Sequence, residues 1–196
     1  MLLNYDYIFH EDFVKERPRE INIRGYRPNE YAGDDIRTIA HGVKQSTKDP
    51  LLRRISMTSI ADYIIKHGIF DEDDTIVPAP QHTGHAEYTL DIAKQIAAKT
   101  GCKVCDCLTC TPRETLYDMK KRGLPIEDDM ALKKIHIPGK RVWFLDNIIA
   151  SGHTFKKAKE LIPDLIPLPY AVSHWATVRN DGNGFDIDYE EKRTLD

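Results

Sequence analysis

Apolar and polar positions along the 196-residue chain change rhythm twice. Residues Met1 to Gly33 are polar and irregular, with Pro18 and Pro28 as breakers. From Asp34 to Gly68 the spacing is helical. Asp34 and Asp35 can cap and charge the start of a helix running toward Lys44. Asp49-Pro50 opens a second helix, with proline in a first-turn position. Its apolar residues Leu51, Leu52, Ile55, Ile60, Tyr63 and Ile64 recur at roughly helical spacing, and it stops near Gly68. From Thr75 strands alternate with helices. Thr75-Ile76-Val77 reads as a strand ended by Pro78, Glu87 to Thr100 as a helix stopped by Gly101, and Lys103 to Leu108 as a strand. Arg141 to Leu145 reads as a strand, Thr154 to Leu161 as a helix, and Leu168 to Val178 as a last strand. Such alternation implies parallel pairing through right-handed crossovers. The pattern predicts an α/β fold whose core, 75–178, is a doubly wound, mainly parallel sheet. It forms a single domain with N-terminal helices over 1–70 and a tail over 179–196.

Composition narrows the classes. Length favours one domain, large enough to fold without disulfides or a structural metal. Apolar residues make up 41% and charged residues 30%, which excludes collagen, low-complexity disorder and coiled coil. Lys+Arg 28 against Asp+Glu 31 leaves no basic excess to hold a phosphate backbone, so no nucleic-acid partner is expected. No apolar stretch approaches the ~20 residues of a membrane span, so no membrane partner is expected. The segment Met1 to His10 lacks a basic region followed by an apolar core, so it is not read as a signal peptide. The expected location is cytoplasmic, with all four cysteines, Cys102, Cys105, Cys107 and Cys110, as reduced thiols. Their two Cys-x-x-Cys spacings, Cys102/Cys105 and Cys107/Cys110, are separated by one residue, which leaves no room for a zinc knuckle pair, and small buried side chains are the simpler reading.

One stretch breaks the alternation. Thr111 to Pro138 is polar, has no period, and carries Arg113, Lys120, Lys121 and Arg122. Long irregular segments inside a compact core are usually functional lids. The clustered positive charge suits a lid closing over an anion, although a solvated loop would look similar.

The most informative segment is Arg141-Val142-Trp143-Phe144-Leu145-Asp146-Asn147-Ile148-Ile149-Ala150-Ser151-Gly152-His153-Thr154. A buried strand ends in two polar residues, two apolar residues anchor a small loop, and a helix begins. In a parallel sheet, ligands bind beyond the carboxyl ends of the strands. Loop N–H groups and a helix N-terminus cradle an anion there. Asp146 and Asn147 beside that cradle have the chemistry to meet a sugar diol. A phosphate site next to a diol site describes a phosphorylated ribose.

This segment resembles the phosphoribosyl-pyrophosphate (PRPP) motif of type I phosphoribosyltransferases. Thr75-Ile76-Val77-Pro78-Ala79-Pro80-Gln81-His82 is similar to the Val-Pro-x-Pro-x-His element of the ComF-like group. Ile36 to Lys44 resembles that group's helix ending in Lys. The group's zinc finger has no counterpart here. The resemblance implies a type I phosphoribosyltransferase-like core with the N-terminal helices as its hood. It implies Mg²⁺-dependent transfer of phosphoribosyl from PRPP to a small nitrogenous acceptor, and it leaves room for a homodimer. By position, Asp146 and Asn147 would bind the ribose hydroxyls. Ala150, Ser151, Gly152, His153 and Thr154 would cradle the 5′-phosphate, and Ala79, Pro80 and Gln81 would approach the pyrophosphate. Lys120, Lys121 and Arg122 of the lid would neutralise the leaving group. The cation would be chelated by substrate oxygens, with no residue of the chain assigned as a metal ligand.

Two departures bear on this. Asn147 stands where the family usually has a second acid, and brings no negative charge to an oxocarbenium-like transition state. Ala150 stands where purine-salvage relatives often carry an Asp, which disfavours hypoxanthine or guanine as acceptor. A non-catalytic PRPP- or nucleotide-binding regulator of the same fold is therefore the alternative. A phosphohydrolase would need a water-activating group that the sequence does not offer.

Overall fold

The computed structural model describes residues 34–44, 49–68, 70–115, 119, 122–124, 129–133, 136–149, 152–172, 177–180 and 185–188. Two helices come first, α1 (Asp34–Gly42) and α2 (Pro50–His67). Asp49 caps α2 by accepting the Leu52 N–H at 2.9 Å, Pro50 opens it, and Lys66 and His67 sit in its last turn. Strand β1 (Asp74–Pro78), helix α3 (Tyr88–Thr100) and the short β2 (Lys103–Val104) follow. Gly101 ends α3 in the left-handed conformation, its N–H bonded to the Ala97 carbonyl. Then come β3 (Leu108–Thr109), β4 (Ala131–Leu132), β5 (Arg141–Ile149), α4 (His153–Leu161), β6 (Leu165–Val172), β7 (Thr177–Asn180) and β8 (Phe185–Asp188).

The central sheet has four strands in the order β2-β1-β5-β6, and every neighbouring pair is parallel. The fold is thus mixed α/β with a parallel sheet flanked by helices. Alternation along the strands divides the core in two. Ile76, Trp143 and Leu145 pack with Ile36, Ala40 and Val43 of the α1 segment, Ile60 and Ile64 of α2, and Ile92 and Ile96 of α3. Val77 and Phe144 pack on the other side with Phe155 and Ala158 of α4. Burying each large side chain of this kind contributes about 1.5–3 kcal/mol. Tyr170 belongs to this core, edge-on to Tyr63 with ring centroids 5.5 Å apart. At the opposite end of β5, the buried Arg141 donates to Asp74, its register partner on β1, and to Asp71. Pro167 and Pro169 alternate along β6, an edge strand, where one row of N–H groups is not needed for pairing.

Three expectations need correction. The strand expected over Lys103–Leu108 is two strands in two sheets. Cys105 still donates its N–H to Ile76 of β1, but Cys107 donates back to the Cys105 carbonyl, and that tight turn sends the chain away. β3 then pairs antiparallel with β4, reinforced by the Lys133 N–H on the Cys107 carbonyl and a 2.8 Å Lys133–Asp106 ion pair. The expected irregular stretch 111–138 therefore contains a strand that returns to its own root. The last strand also divides: β6 starts earlier, at Leu165, and stops at Val172, and β7 pairs antiparallel with β8 in a sheet of its own. Finally, β5 does not stop at Leu145. It stays in register with β6 up to Ile149–Val172, so Asp146 and Asn147 lie within the strand. The extension is possible because β6 continues as a partner where β1 has ended.

Residues 1–33 of the expected N-terminal segment, the tail 189–196 and Trp175 lie outside the described residues. Among the described residues no helix is long and apolar enough to cross a membrane. The four cysteines are buried and unbridged, and burial pushes the Cys107 thiol up to about 12, with Cys105 beside it adding to the effect.

Candidate functional site

β1 and β5 lie side by side, but the chain leaves them in opposite directions. After β1 it crosses through α3 to β2 on one flank, and after β5 it crosses through α4 to β6 on the other. Loops diverge at such a switch and open a crevice at the carboxyl ends. Pairing between the two strands ends at Pro78–Leu145, closed by the Ala79 N–H on the Leu145 carbonyl at 2.9 Å. Asp146 and Asn147 continue past that point with no β1 residue opposite them.

The loop after β1 is stiff. Ala79 and Pro80 are buried. Gln81 organises the turn. Its Nε2 donates to the Ala79 carbonyl (2.9 Å) and to Thr89 Oγ1 (2.8 Å), and its Oε1 accepts the N–H of Glu87 at the start of α3. Gly84 sits at φ +99°, and a Cβ there would lie 2.8 Å from the Cys110 carbonyl. The Gly84 carbonyl accepts from the Cys110 N–H and from Thr109 Oγ1, and the His82 carbonyl from the Arg113 N–H. The loop over the crevice is thereby bonded to the root of the 111–138 segment.

On the β5 side, Gly152 holds φ +69° at the N-cap of α4, and His153 and Thr154 begin the helix. N–H groups of a first helical turn have no acceptor within the helix, and the dipole favours an anion there. Asp146 is half-buried. Burial pushes its carboxyl up to about 6, against the Lys44 charge and hydrogen bonds from the Asn147 and Ile148 backbone. Asn147 is fully engaged within the fold. Its Nδ2 donates to the Ala40 carbonyl of α1 at 2.7 Å, and its Oδ1 accepts from the Tyr88 hydroxyl of α3 at 3.3 Å. The Tyr88 hydroxyl is held well above its ordinary range, first by burial and then by the Asp146 and Glu87 charges, with Arg53 opposing.

The fold therefore gathers Ala79, Pro80, Gln81, Asp146, Asn147, Gly152, His153 and Thr154 at one end of the sheet. Gln81 and Asn147 have side chains committed to internal bonds, so of the expected ligand groups Asp146 has the carboxylate to offer and α4 the N–H groups. Arg122 Nη1 reaches both carboxylate oxygens of Glu114, at 2.6 and 2.7 Å, on an exposed surface. Lys120, Lys121, Ala150 and Ser151 lie outside the described residues. The reading of spacing alone missed Tyr88 and Arg53, which come to the site from helices α3 and α2 and belong to no motif. Lys44 was visible as a helix end but not as a charge acting on Asp146.

A cavity of about 640 Å³ lies elsewhere, against Lys140–Val142 ahead of and along the start of β5 and Asp164 ahead of β6. That cavity lies at the amino ends of the strands, away from the loops of the β1/β5 switch point. Among the described residues no group of three or more His, Cys, Asp or Glu could hold a metal ion. No protein-family model matches the chain, and no curated protein matches it.

Proposed function

We propose that this protein is a cytoplasmic phosphoribosyltransferase with a type I-like, doubly wound core. It transfers phosphoribosyl from PRPP to a small nitrogen nucleophile and releases pyrophosphate. The observation that carries the reading is the topological switch point between β1 and β5, where the two strands stop pairing and their loops diverge. A left-handed glycine opening α4, a stiff β1 loop and the Asp146 carboxylate meet there in the order a phosphorylated ribose requires. The 5′-phosphate sits on the first turn of α4, from Gly152 to Thr154, and Asp146 accepts from a ribose hydroxyl. The nucleophile's lone pair forms the C1′–N bond as the C1′–O bond breaks. That electron pair leaves with pyrophosphate, and any proton on the nitrogen passes to water.

Magnesium fits this arrangement as a cation carried on the substrate. Asp146 is the one carboxylate in β5, so the cation would take its ligands from substrate oxygens and water rather than from the chain. The bound cation would neutralise the departing pyrophosphate. Lys120, Lys121 and Arg122 would add to that, with Arg122 exchanging Glu114 for the ligand. One observation favours the second reading, a PRPP- or nucleotide-binding regulator: the Asn147 amide is spent on Ala40 and Tyr88, leaving a single acid at the ribose.

Calorimetric PRPP titration and pyrophosphate release with a panel of nitrogen acceptors decide the matter. Binding with turnover supports the transferase, binding with none supports the regulator, and no PRPP binding removes both.

A further inference from the structure

The first turn of α4 and the helices α1 and α2 lie on opposite faces of the sheet. In a ribose 5-phosphate the phosphate and C1′ are at opposite ends of the sugar. Resting on the phosphoribosyl-transfer reading, a phosphate on α4 turns C1′ toward α1 and α2, and the acceptor enters from that side.

That side is built by a close helix crossing. A Cβ at Gly42 would lie 2.1 Å from Ser56 Oγ and 3.2 Å from Leu52 Cγ, so the end of α1 presses directly on the Leu52–Ser56 turn of α2. The bond from Asn147 to the Ala40 carbonyl holds the same end of α1 against β5. Lys44, just past α1 and exposed, and Arg53, half-buried on that turn of α2, are thereby brought to the Asp146–Tyr88 end of the crevice. Among the described residues neither cationic side chain takes part in an ion pair. Glu87, the other acid nearby, is held to the β1 loop by Thr83 Oγ1 at 2.7 Å. Two cations that form no ion pair among the described residues, of different reach and beside a sugar site, are matched by an oxyanion on the incoming molecule.

We infer that the acceptor is a nitrogen compound bearing a carboxylate, received by Lys44 and Arg53. Purines without an acid group leave both cations unanswered. The competing occupant is the pyrophosphate of PRPP, and the test separates the two.

The probes are pairs alike in shape and different in charge: nicotinate and nicotinamide, anthranilate and 2-aminobenzamide, orotate and uracil. Each is titrated by calorimetry into the full-length protein loaded with PRPP and Mg²⁺, with pyrophosphate release recorded in parallel. A charge-assisted contact predicts that the acid of at least one pair binds about tenfold or more tightly than its neutral mate. Assayed at about pH 8.5, where Asp146 is ionised with or without Lys44, Lys44→Gln and Arg53→Gln should each collapse that ratio with PRPP affinity retained, and Lys44→Arg should keep it. PRPP bound with neutral mates preferred, with no probe bound, or with a ratio unchanged in the variants overturns the acceptor assignment and leaves the transferase reading standing. Variants that weaken PRPP instead assign the cations to pyrophosphate. A wild-type protein that binds no PRPP overturns the reading beneath.

Discussion

Asp146→Asn should make the protein more stable and less able to bind its ligand, both at neutral pH. The side chain keeps its size and loses its charge. In the folded protein burial raises the Asp146 carboxyl from 3.8 to about 6, despite the help of Lys44. A folded-state value above the unfolded one means that stability is intact below 3.8 and lost as pH rises through about 6. The difference corresponds to about 3 kcal/mol at pH 8, since each pH unit of displacement is about 1.36 kcal/mol. The neutral amide escapes that cost, so urea unfolding at about pH 8 should show the variant more stable by a quantity of this order. The gain should shrink toward zero near about pH 4, where the wild-type carboxyl is largely protonated in the folded state and half-protonated in the unfolded one. PRPP affinity should move the other way. Losing a charge-assisted hydrogen bond costs about 1.5–3 kcal/mol, or roughly ten- to a hundredfold. A carboxylate that only supported the fold would give the reverse stability result and no binding defect. A variant less stable in the alkaline unfolding series, or one that binds PRPP like the wild type, would falsify the assignment of Asp146 to the ribose.

Gly152→Val should abolish PRPP binding by calorimetry, because a close phosphate leaves no room for a branched side chain, and the strain at φ +69° should show separately in urea unfolding as a cost of roughly 1–3 kcal/mol; unchanged affinity would remove the α4 cradle from the site. Replacing Lys120, Lys121 and Arg122 together by Ala should lower kcat more than it weakens PRPP binding, since neutralising the leaving group matters most in the transition state; equal turnover would return the segment to a solvated loop. Asn147→Asp should destabilise the fold by about 1–3 kcal/mol in urea, because the Ala40 carbonyl loses its donor; unchanged stability would mean that the Asn147 clamp is not holding α1.

Elements set by local signals were legible in the sequence. Asp49-Pro50 and Gly101 mark helix ends through capping and backbone freedom, and both ends fall where those residues put them. The parallel sheet followed from strands alternating with helices. What the sequence hid depended on partners far along the chain. Lys103–Leu108 is apolar enough for one strand, yet the turn at Cys105–Cys107 answers to β4, contributed from near residue 131. The reach of β5 to Ile149 depends on β6 running alongside, which no local pattern announces. At the site, backbone features such as Gly152 could be placed from the motif. The commitments of Gln81 and Asn147 could not, because their partners, Thr89 and Glu87 in one case and Ala40 and Tyr88 in the other, are fixed only by packing.

Asn147 bears most directly on how the two functional readings relate. Where the family resemblance calls for a second acid, this fold asks one side chain to donate to a helix carbonyl and to accept from a buried hydroxyl. An amide does both, whereas an ionised carboxylate cannot donate. A carboxylate here would also face the Ala40 carbonyl and sit next to Asp146, whose own ionisation burial already opposes. The departure from the usual pair is therefore a requirement of docking α1 onto the end of β5. The same docking brings Lys44 and Arg53 to the crevice. On the proposed function, negative charge given up at the ribose would be accompanied by positive charge gained at the acceptor's entry. A transferase built this way would rely less on stabilising an oxocarbenium ion and more on holding an anionic acceptor against C1′, a positioning effect that shows in kcat only once the correct acceptor is supplied.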